Sequence, residues 1–545
     1  MINIKKQSFV KGTIILVAAN AVSKILGAVF KIPITYILDE EGMAIFNSAM
    51  QIYVMVLMLI ISGLPVAISK LIAEQTALKN ETNVHKIVRV SEMILVILGI
   101  MGSLILFFGA EIFANVMRDT KTVFAIQAIA PAVFFVAIGV VYKSYYQGVQ
   151  NMIPTAISQV IESVIKLAAG YGIAVLLIEY NVQIKSAGAI LGTTVGEVIA
   201  TFILMLLYLP DRHRLKKNGD TKTSMSTMTI VKKIVTVAVP LTFASGIGSI
   251  LSVIDISMIR SRLQAIQFTE QTAQRLLSQY GEYTNLFDNV VNTLKMSEEG
   301  ARWLYGAYSG YTLTIFYLPS GIVGALAVSI LPVIAGAYAV GDIKKISYYV
   351  QLAMRIAVLI ALPCSAGMFM LSEPILNLLF KNSASALMLT VISPCIMTVC
   401  LTTISTSVLQ ATGHIMIPFR NMLIGSALKL ITIYFLIAEP QFNILGAPIS
   451  TNIDYLAVSV LNIYAMGRLL NVRYNVVDVI VKPVFCTLVM GVIIWLLYVP
   501  VSAMLNSEIG GVLVVMAVGV VSYAMALFIT RAIEMREIKG LFKRI

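Results

Sequence analysis

Apolar positions in this chain come in runs of about 20 residues, and they do not alternate with polar ones. Short polar or basic segments separate the runs. The pattern predicts membrane-spanning helices rather than the alternating strands of a barrel. Fourteen spans can be drawn, over 10–38, 43–72, 86–112, 124–148, 152–178, 185–209, 231–259, 304–336, 346–372, 385–410, 415–438, 444–468, 479–502 and 509–532. An even number of crossings puts both termini on one side.

The runs repeat. The segment from Pro131 to Leu167 recurs from Pro394 to Leu430, at a constant offset of 263. Gln147 pairs with Gln410 and Lys166 with Lys429. A weaker match joins 64–71 to 324–331, and Ser-Ala-Gly-Ala at 186–189 matches Ile-Leu-Gly-Ala at 444–447. Six spans per repeat is an even number, so both repeats start on the same side and are parallel. This is a plan for secondary transporters, with the substrate site between the repeats. The expected domains are an N-lobe over 1–209, a linker over 210–230, a C-lobe over 231–468 and an extra pair of spans with a basic tail over 469–545.

Composition agrees with this reading. The 545 residues are 58% hydrophobic and 12% charged, where a soluble domain carries about 25% charged residues. The net charge of +13 raises the question of nucleic acid, but its placement answers it. Basic residues concentrate in the N-terminus (Lys5, Lys6, Lys11), in 73–89, in 210–233 (with Lys222), in 340–345, in 468–482 (with Arg473) and in the C-terminus (Arg531, Arg536, Lys539, Lys543, Arg544). Opposite loops carry Asp39, Glu40, Glu41, Glu179, Glu373, Glu439 and Glu508, with Arg118, Lys121, Lys185 and Lys381 as exceptions. The bias puts both termini in the cytoplasm. Cys364, Cys395, Cys400 and Cys486 sit in apolar stretches as packed thiols. The N-terminal run lacks a small-residue cleavage site, so it reads as a span rather than a removable signal.

One outer loop, from 261 to 302, is long. The spacing of Leu263, Ile266, Leu276, Leu277, Tyr280 and Leu286 suits an amphipathic helix at the membrane surface, either a passive connector or a lid. Phosphate-binding loops, dinucleotide fingerprints and zinc-protease motifs are absent from the sequence. His85, His213 and His414 fall in or beside basic loops and read as solvated.

Ionisable residues inside spans are costly, and they mark function unless they pair or snorkel. Lys24 and Lys31, seven residues apart, share a face of span 1. Arg260 and Arg262 end span 7. Together these four would make a cationic cleft for an anionic headgroup such as a phosphate or pyrophosphate. Glu162 and Lys166 are i,i+4 neighbours and would form an internal pair. Asp255, Thr451, Asn452 and Asp454 are oxygen ligands that could hold a coupling cation, Na+ or H+. Gly63 and Pro65 in span 2 match Pro319, Gly321 and Gly324 in span 8, and paired kinks there would act as hinges or gates. Gly188, Gly192 and Gly196 read as a helix-packing stripe.

Several of these segments resemble a known family. Ser23-Lys24-Ile25-Leu26-Gly27 is similar to the span-1 element of MurJ-type lipid flippases. Three stretches resemble the SpoVB/YtgP branch. They are Gly63-Leu64-Pro65-Val66-Ala67-Ile68-Ser69-Lys70-Leu71, Gln147 through Thr155 with Ser158 to Glu162, and Leu326 to Pro332 with Gly341-Asp342. The resemblance implies the multidrug/oligosaccharidyl-lipid/polysaccharide exporter superfamily, which alternates access between two six-helix lobes. It implies an undecaprenyl-pyrophosphate-linked saccharide such as lipid II as substrate, for cell-wall or spore-cortex synthesis. It also implies a cationic cavity for the headgroup and a groove at spans 13 and 14 for the tail. By that match Lys24 stands where the family has an arginine, and Lys31 matches a second arginine only approximately.

The resulting expectation is an all-α bacterial cell-membrane protein with two parallel six-helix lobes and two further spans, acting as a flippase and making no bonds. Its partners would be the bilayer, an anionic polyprenyl-linked saccharide and the cell-wall synthesis machinery, with no nucleic acid. No cofactor beyond a coupling ion is needed. The alternatives are a flippase for another polysaccharide unit, a drug antiporter of the same superfamily, a membrane-embedded glycosyltransferase, or a scaffold.

Overall fold

The computed structural model describes residues 9–217, 224–470, 477–505 and 507–530. The basic residues Lys5, Lys6, Lys222, Arg473, Arg531, Arg536, Lys539, Lys543 and Arg544 lie outside them. Twenty α-helices are present among the described residues, and strand pairing is limited to one isolated bridge, Gln267 to Lys295.

The chain forms two compact units. The first comprises 1–264 and 297–310, the second 265–296 and 311–545. In the first unit α1 (Phe9–Ile60) is followed by α2 (Leu64–Ala77), α3 (Glu81–Phe108), the short α4 (Ala110–Val116), α5 (Val123–Gly148), α6 (Ile153–Leu176), α7 (Val182–Lys217) and α8 (Thr227–Gln264). Next come α9 (Glu270–Tyr280) and α10 (Asp288–Thr293), which belong to the second unit, and α11 (Glu298–Gly306), which returns to the first. The second unit continues with α12 (Leu313–Ala339), α13 (Ile343–Met370), α14 (Ser372–Phe380), α15 (Ala386–Ile392), α16 (Cys395–Ala411), α17 (Met416–Leu436), α18 (Gly446–Leu470), α19 (Lys482–Leu505) and α20 (Glu508–Ile529).

The boundary differs from the expected one at 210–230. Span 7, here α8, packs on α1 and α2 and so joins the first unit. The contact is close. A methyl group on Gly63 would come 2.1 Å from the Ala238 carbonyl oxygen, and the Gly63 amide donates to Thr242 Oγ1 at 3.1 Å.

Twelve helical stretches are long and apolar enough to cross a membrane, and the bent pair α15–α16 makes a thirteenth. The first of them runs for 60 residues, from Ala18 to Ala77. At 1.5 Å per residue that is about 90 Å, against about 30 Å of hydrocarbon. Asp39, at φ 56°, breaks it. Division there gives two stretches of spanning length and accounts for the fourteen expected.

Exposed faces are apolar, as at Phe108, Leu176, Met504 and Ile529, so burial alone does not drive helix association. Small residues and buried polar groups carry more of it. The glycine stripe of α7 lies against α6. A methyl group on Gly192 would meet the Gly170 Cα at 2.2 Å, and one on Gly196 would meet the Glu162 carbonyl oxygen at 2.9 Å.

Two expected irregularities lie elsewhere. Pro65 stands at the start of α2, where a missing amide costs nothing, so span 2 breaks at 61–63 rather than kinking at the proline. α12 continues as one helix through Pro319, Gly321 and Gly324, and the irregular backbone of that span is a π-helical segment just upstream, at Ala307–Thr312. The long loop also departs from expectation. Leu263, Ile266, Leu276 and Tyr280 are buried, and Tyr280 packs on Phe287 with ring centroids 5.7 Å apart. Its apolar positions therefore point into protein rather than lying on lipid as one surface helix. Burial pushes the Tyr280 phenol above its ordinary value. Tyr283 bonds Ser383 at 2.9 Å, which ties the loop to the second unit.

Candidate functional site

Two clusters of charge organise the first unit. One sits where α1 breaks. Asp119, at the turn before α5, is fully buried and binds two arginines. Arg260 Nη1 of α8 donates to Oδ2 at 2.8 Å, and Arg302 Nε of α11 donates to Oδ1 at 2.7 Å. Arg302 also reaches Glu41 at 2.9 Å and Glu298 at 2.8 Å. Lys121 Nζ bonds Glu41 at 2.8 Å and Glu299 at 3.3 Å. Arg260 donates further to Ser48 Oγ at 3.0 Å and lies 4.7 Å from the centroid of the Tyr305 ring. Close backbone approach supports the knot, since a methyl group on Gly306 would fall 1.8 Å from the Glu40 carbonyl oxygen.

This corrects the expectation for Arg260. It is 1% exposed with its charge committed to Asp119, so it does not line a cleft for a headgroup. Arg262 is half-buried at the end of α8. Two of the four basic exceptions to the charge bias also find a reason here. Lys121 anchors Glu41 and Glu299, and Lys185 donates to the Ile37 carbonyl at 2.9 Å beside Asp39.

The second cluster lies on α1, α5, α6 and α7. Glu162 takes as its partner Lys143 of α5, at 3.4 Å, rather than Lys166 one turn along its own helix. Glu197 of α7 is buried beside Glu162. The glycine stripe brings it there, and Gly196 sits 3.4 Å from the Lys166 Cβ, measured from its own ideal Cβ position. Lys31 of α1 is half-buried within electrostatic range of Lys166. α1 is seated on α6 by Gln159, whose side-chain amide donates to Asn20 at 2.5 Å and whose carbonyl accepts from Ser23 at 3.3 Å. Lys24, two turns before Lys31, is exposed.

The expected coupling residues do not form one cluster within either unit, since Asp255 belongs to the first and the other three to the second. Thr451 Oγ1 donates to the Ala447 carbonyl at 2.9 Å, and Asn452 Nδ2 donates to Val391 at 2.9 Å and Pro448 at 3.0 Å. Asp454 Oδ1 fills the space over Gly425, 2.3 Å from where a methyl group there would stand. Among the described residues no three His, Cys, Asp or Glu side chains gather as a metal site.

A family model described as a polysaccharide biosynthesis protein matches residues 9–338, well over half of the chain. The chain belongs to that family. A second model, described as lipid II flippase MurJ, matches 305–509. The chain is 26% identical over 475 residues to Bacillus subtilis stage V sporulation protein B, covering 86% of each chain. It is 21% identical to Bacillus subtilis lipid II flippase MurJ, over 82% of this chain and 80% of that one. Its fold matches a solved lipid II flippase MurJ in an inward closed conformation with a TM-score of 0.66, covering 95% of this chain and 98% of the other at 14% identity. It also matches an inward-facing multidrug resistance MATE family transporter with a TM-score of 0.65, covering 84% and 98% at 12% identity. Sequence reasoning about the family member missed Asp119 and Arg302 as a pair, because 183 residues separate them. The available signal was Lys121, a basic residue on the side where the charge bias disfavours it.

Proposed function

We propose that this protein is an alternating-access flippase for a polyprenyl-pyrophosphate-linked saccharide, with the peptidoglycan precursor lipid II as its first substrate. The observation that carries the reading is Lys24. It is an exposed cation in the first membrane helix, on the face that carries Lys31, within a chain of the polysaccharide biosynthesis family. A cation held at that depth is costly unless it meets an anion or water, and a pyrophosphate supplies the anion. The MurJ family match and the sporulation relative support lipid II and a cell-wall or spore-cortex role. Lys31 and Arg262 remain in the proposed headgroup set, and Gly63 remains a proposed hinge. No bond is made or broken, so the protein is not an enzyme in this reading. The Na+ or H+ gradient would drive the cycle, with Asp255 and the Thr451, Asn452 and Asp454 group as coupling residues. Both termini would face the cytoplasm of the bacterial cell, where the cell-wall synthesis machinery supplies the substrate.

The test is purified protein in proteoliposomes loaded with labelled lipid II, with a teichoic-type lipid-linked saccharide, or with a cationic drug. Movement of lipid II between leaflets supports the reading. Drug efflux without lipid movement overturns it.

A further inference from the structure

The chain passes between its two units three times, after residues 264, 296 and 310. The first two passes run through non-helical backbone next to the Gln267–Lys295 bridge. The third lies inside a stretch of spanning length, Glu298–Tyr338, between Gly310 and Tyr311. It falls within the π-helical segment Ala307–Thr312. A π turn closes its hydrogen bonds from i to i+5, one residue wider than an α turn, and such turns inside α-helices are often functional. At the offset of 260 that relates 64–71 to 324–331, the segment corresponds to 47–52, which is ordinary α-helix within the first unit. The irregular turn therefore belongs to the repeat in which a span changes unit.

Side-chain partners change across the segment. Upstream, Arg302 is held by Asp119 and Glu41, and Gly306 lies against the Glu40 backbone. Asn47 Nδ2 donates to Ser309 Oγ at 3.3 Å, and a methyl group on Gly310 would stand 2.8 Å from the Met43 Cβ. All of these partners belong to the first unit. One residue further on, the Tyr311 ring lies 5.0 Å from the Phe380 ring, centroid to centroid. Thr312 Oγ1 donates to the Ser385 carbonyl at 3.4 Å, and α12 packs on α13 and α16. These partners all belong to the second unit. Two held arms joined by a few residues of irregular backbone are the arrangement of a hinge. We propose that Ala307–Thr312 is the hinge on which the second unit turns relative to the first. The Asp119–Arg302 knot clamps its upstream arm, and Phe380 and Ser385 hold its downstream arm. The proposal rests on the flippase reading only for what the motion serves, alternating access.

The experiment uses the full chain in lipid nanodiscs, with its four cysteines replaced by alanine. Spin labels are attached in pairs at Glu111→Cys, Glu282→Cys, Glu299→Cys and Glu373→Cys, all exposed positions. Glu111 and Glu299 belong to the first unit, Glu282 and Glu373 to the second. Pulsed electron spin resonance reads the distances before and after undecaprenyl pyrophosphate is added. The cross-unit pair at 111 and 282 is expected to show two populations, or to shift on addition. The pairs at 111 and 299 and at 282 and 373 are expected to keep one distance each. Deleting Ser309 removes the extra residue and lets the segment close as α-helix, so the cross-unit pair is expected to lose its second population or its shift. Ser309→Ala loses the Asn47 bond but keeps the residue count, and is expected to match the parent. A shift within the pair at 111 and 299 overturns the proposal, because α11 would then lie on the moving side. A single unmoved cross-unit distance in the parent overturns it, as does motion that survives in a folded deletion variant. Where the deletion variant does not fold, the pairs in the parent decide. Cross-unit motion lost on deletion, in a chain that flips no lipid-linked saccharide, keeps the hinge and loses the flippase reading. Flipping that persists in the deletion variant does the reverse.

Discussion

Asp119 holds Arg260 at 2.8 Å and Arg302 at 2.7 Å, one arginine on each carboxylate oxygen, with all three side chains buried. Two arginines on one carboxylate would leave excess positive charge, and Glu41 and Glu298 offset it through Arg302. The knot joins α1, the turn before α5, α8 and α11, and so fixes one end of the first unit.

Replacing Asp119 by Asn keeps the volume and removes the charge. Breaking a buried ion pair from one side costs about 3–5 kcal/mol. Asp119→Asn is therefore expected to unfold at clearly lower denaturant in mixed-micelle titrations. Stability equal to wild type would show that the arginines are not held by this carboxylate.

Glycine substitutions should separate by position. A methyl group on Gly306 or Gly192 would overlap backbone, at 1.8 Å from the Glu40 oxygen and 2.2 Å from the Gly170 Cα. Nothing lies within 4 Å of the Gly27 position. Gly306→Ala and Gly192→Ala are expected to lose about 1–3 kcal/mol, and Gly27→Ala to be neutral or slightly stabilising, since alanine is the better helix former. The same mixed-micelle titration reads all three, and equal effects would contradict the packing described.

The partner of Glu162 is open to a double-mutant cycle. Glu162→Gln with Lys143→Gln should show a coupling of about 0.5–3 kcal/mol, and Glu162→Gln with Lys166→Gln a smaller one. The reverse order would restore the local i,i+4 pair that the sequence suggests.

What could be read from the sequence was what repeats or is local. Hydrophobic run length marked the helices, the offset of 263 related Lys166 to Lys429, and the spacing of Gly188, Gly192 and Gly196 announced the α6–α7 contact. Contacts across the chain were not legible. Glu162 and Lys166 look like partners because helix geometry is the only distance a sequence states, and Lys143 on another helix is nearer. Arg260 looked like a cavity residue because its partner, Asp119, lies 141 residues away on another element. The π-helical segment at Ala307–Thr312 has no proline to announce it.

The central claim is that a cationic face on α1 moves a polyprenyl-linked saccharide across the membrane. The most direct measurement is the accessibility of lipid II to an external probe in cells lacking their own flippase, for wild type and Lys24→Ala at matched expression. Because Lys24 is exposed, its loss should leave folding intact. The account predicts that wild type restores outer-leaflet lipid II and that Lys24→Ala does not. Failure of a folded, inserted wild type to restore it would contradict lipid II as the substrate, and full activity of Lys24→Ala would contradict the cationic face.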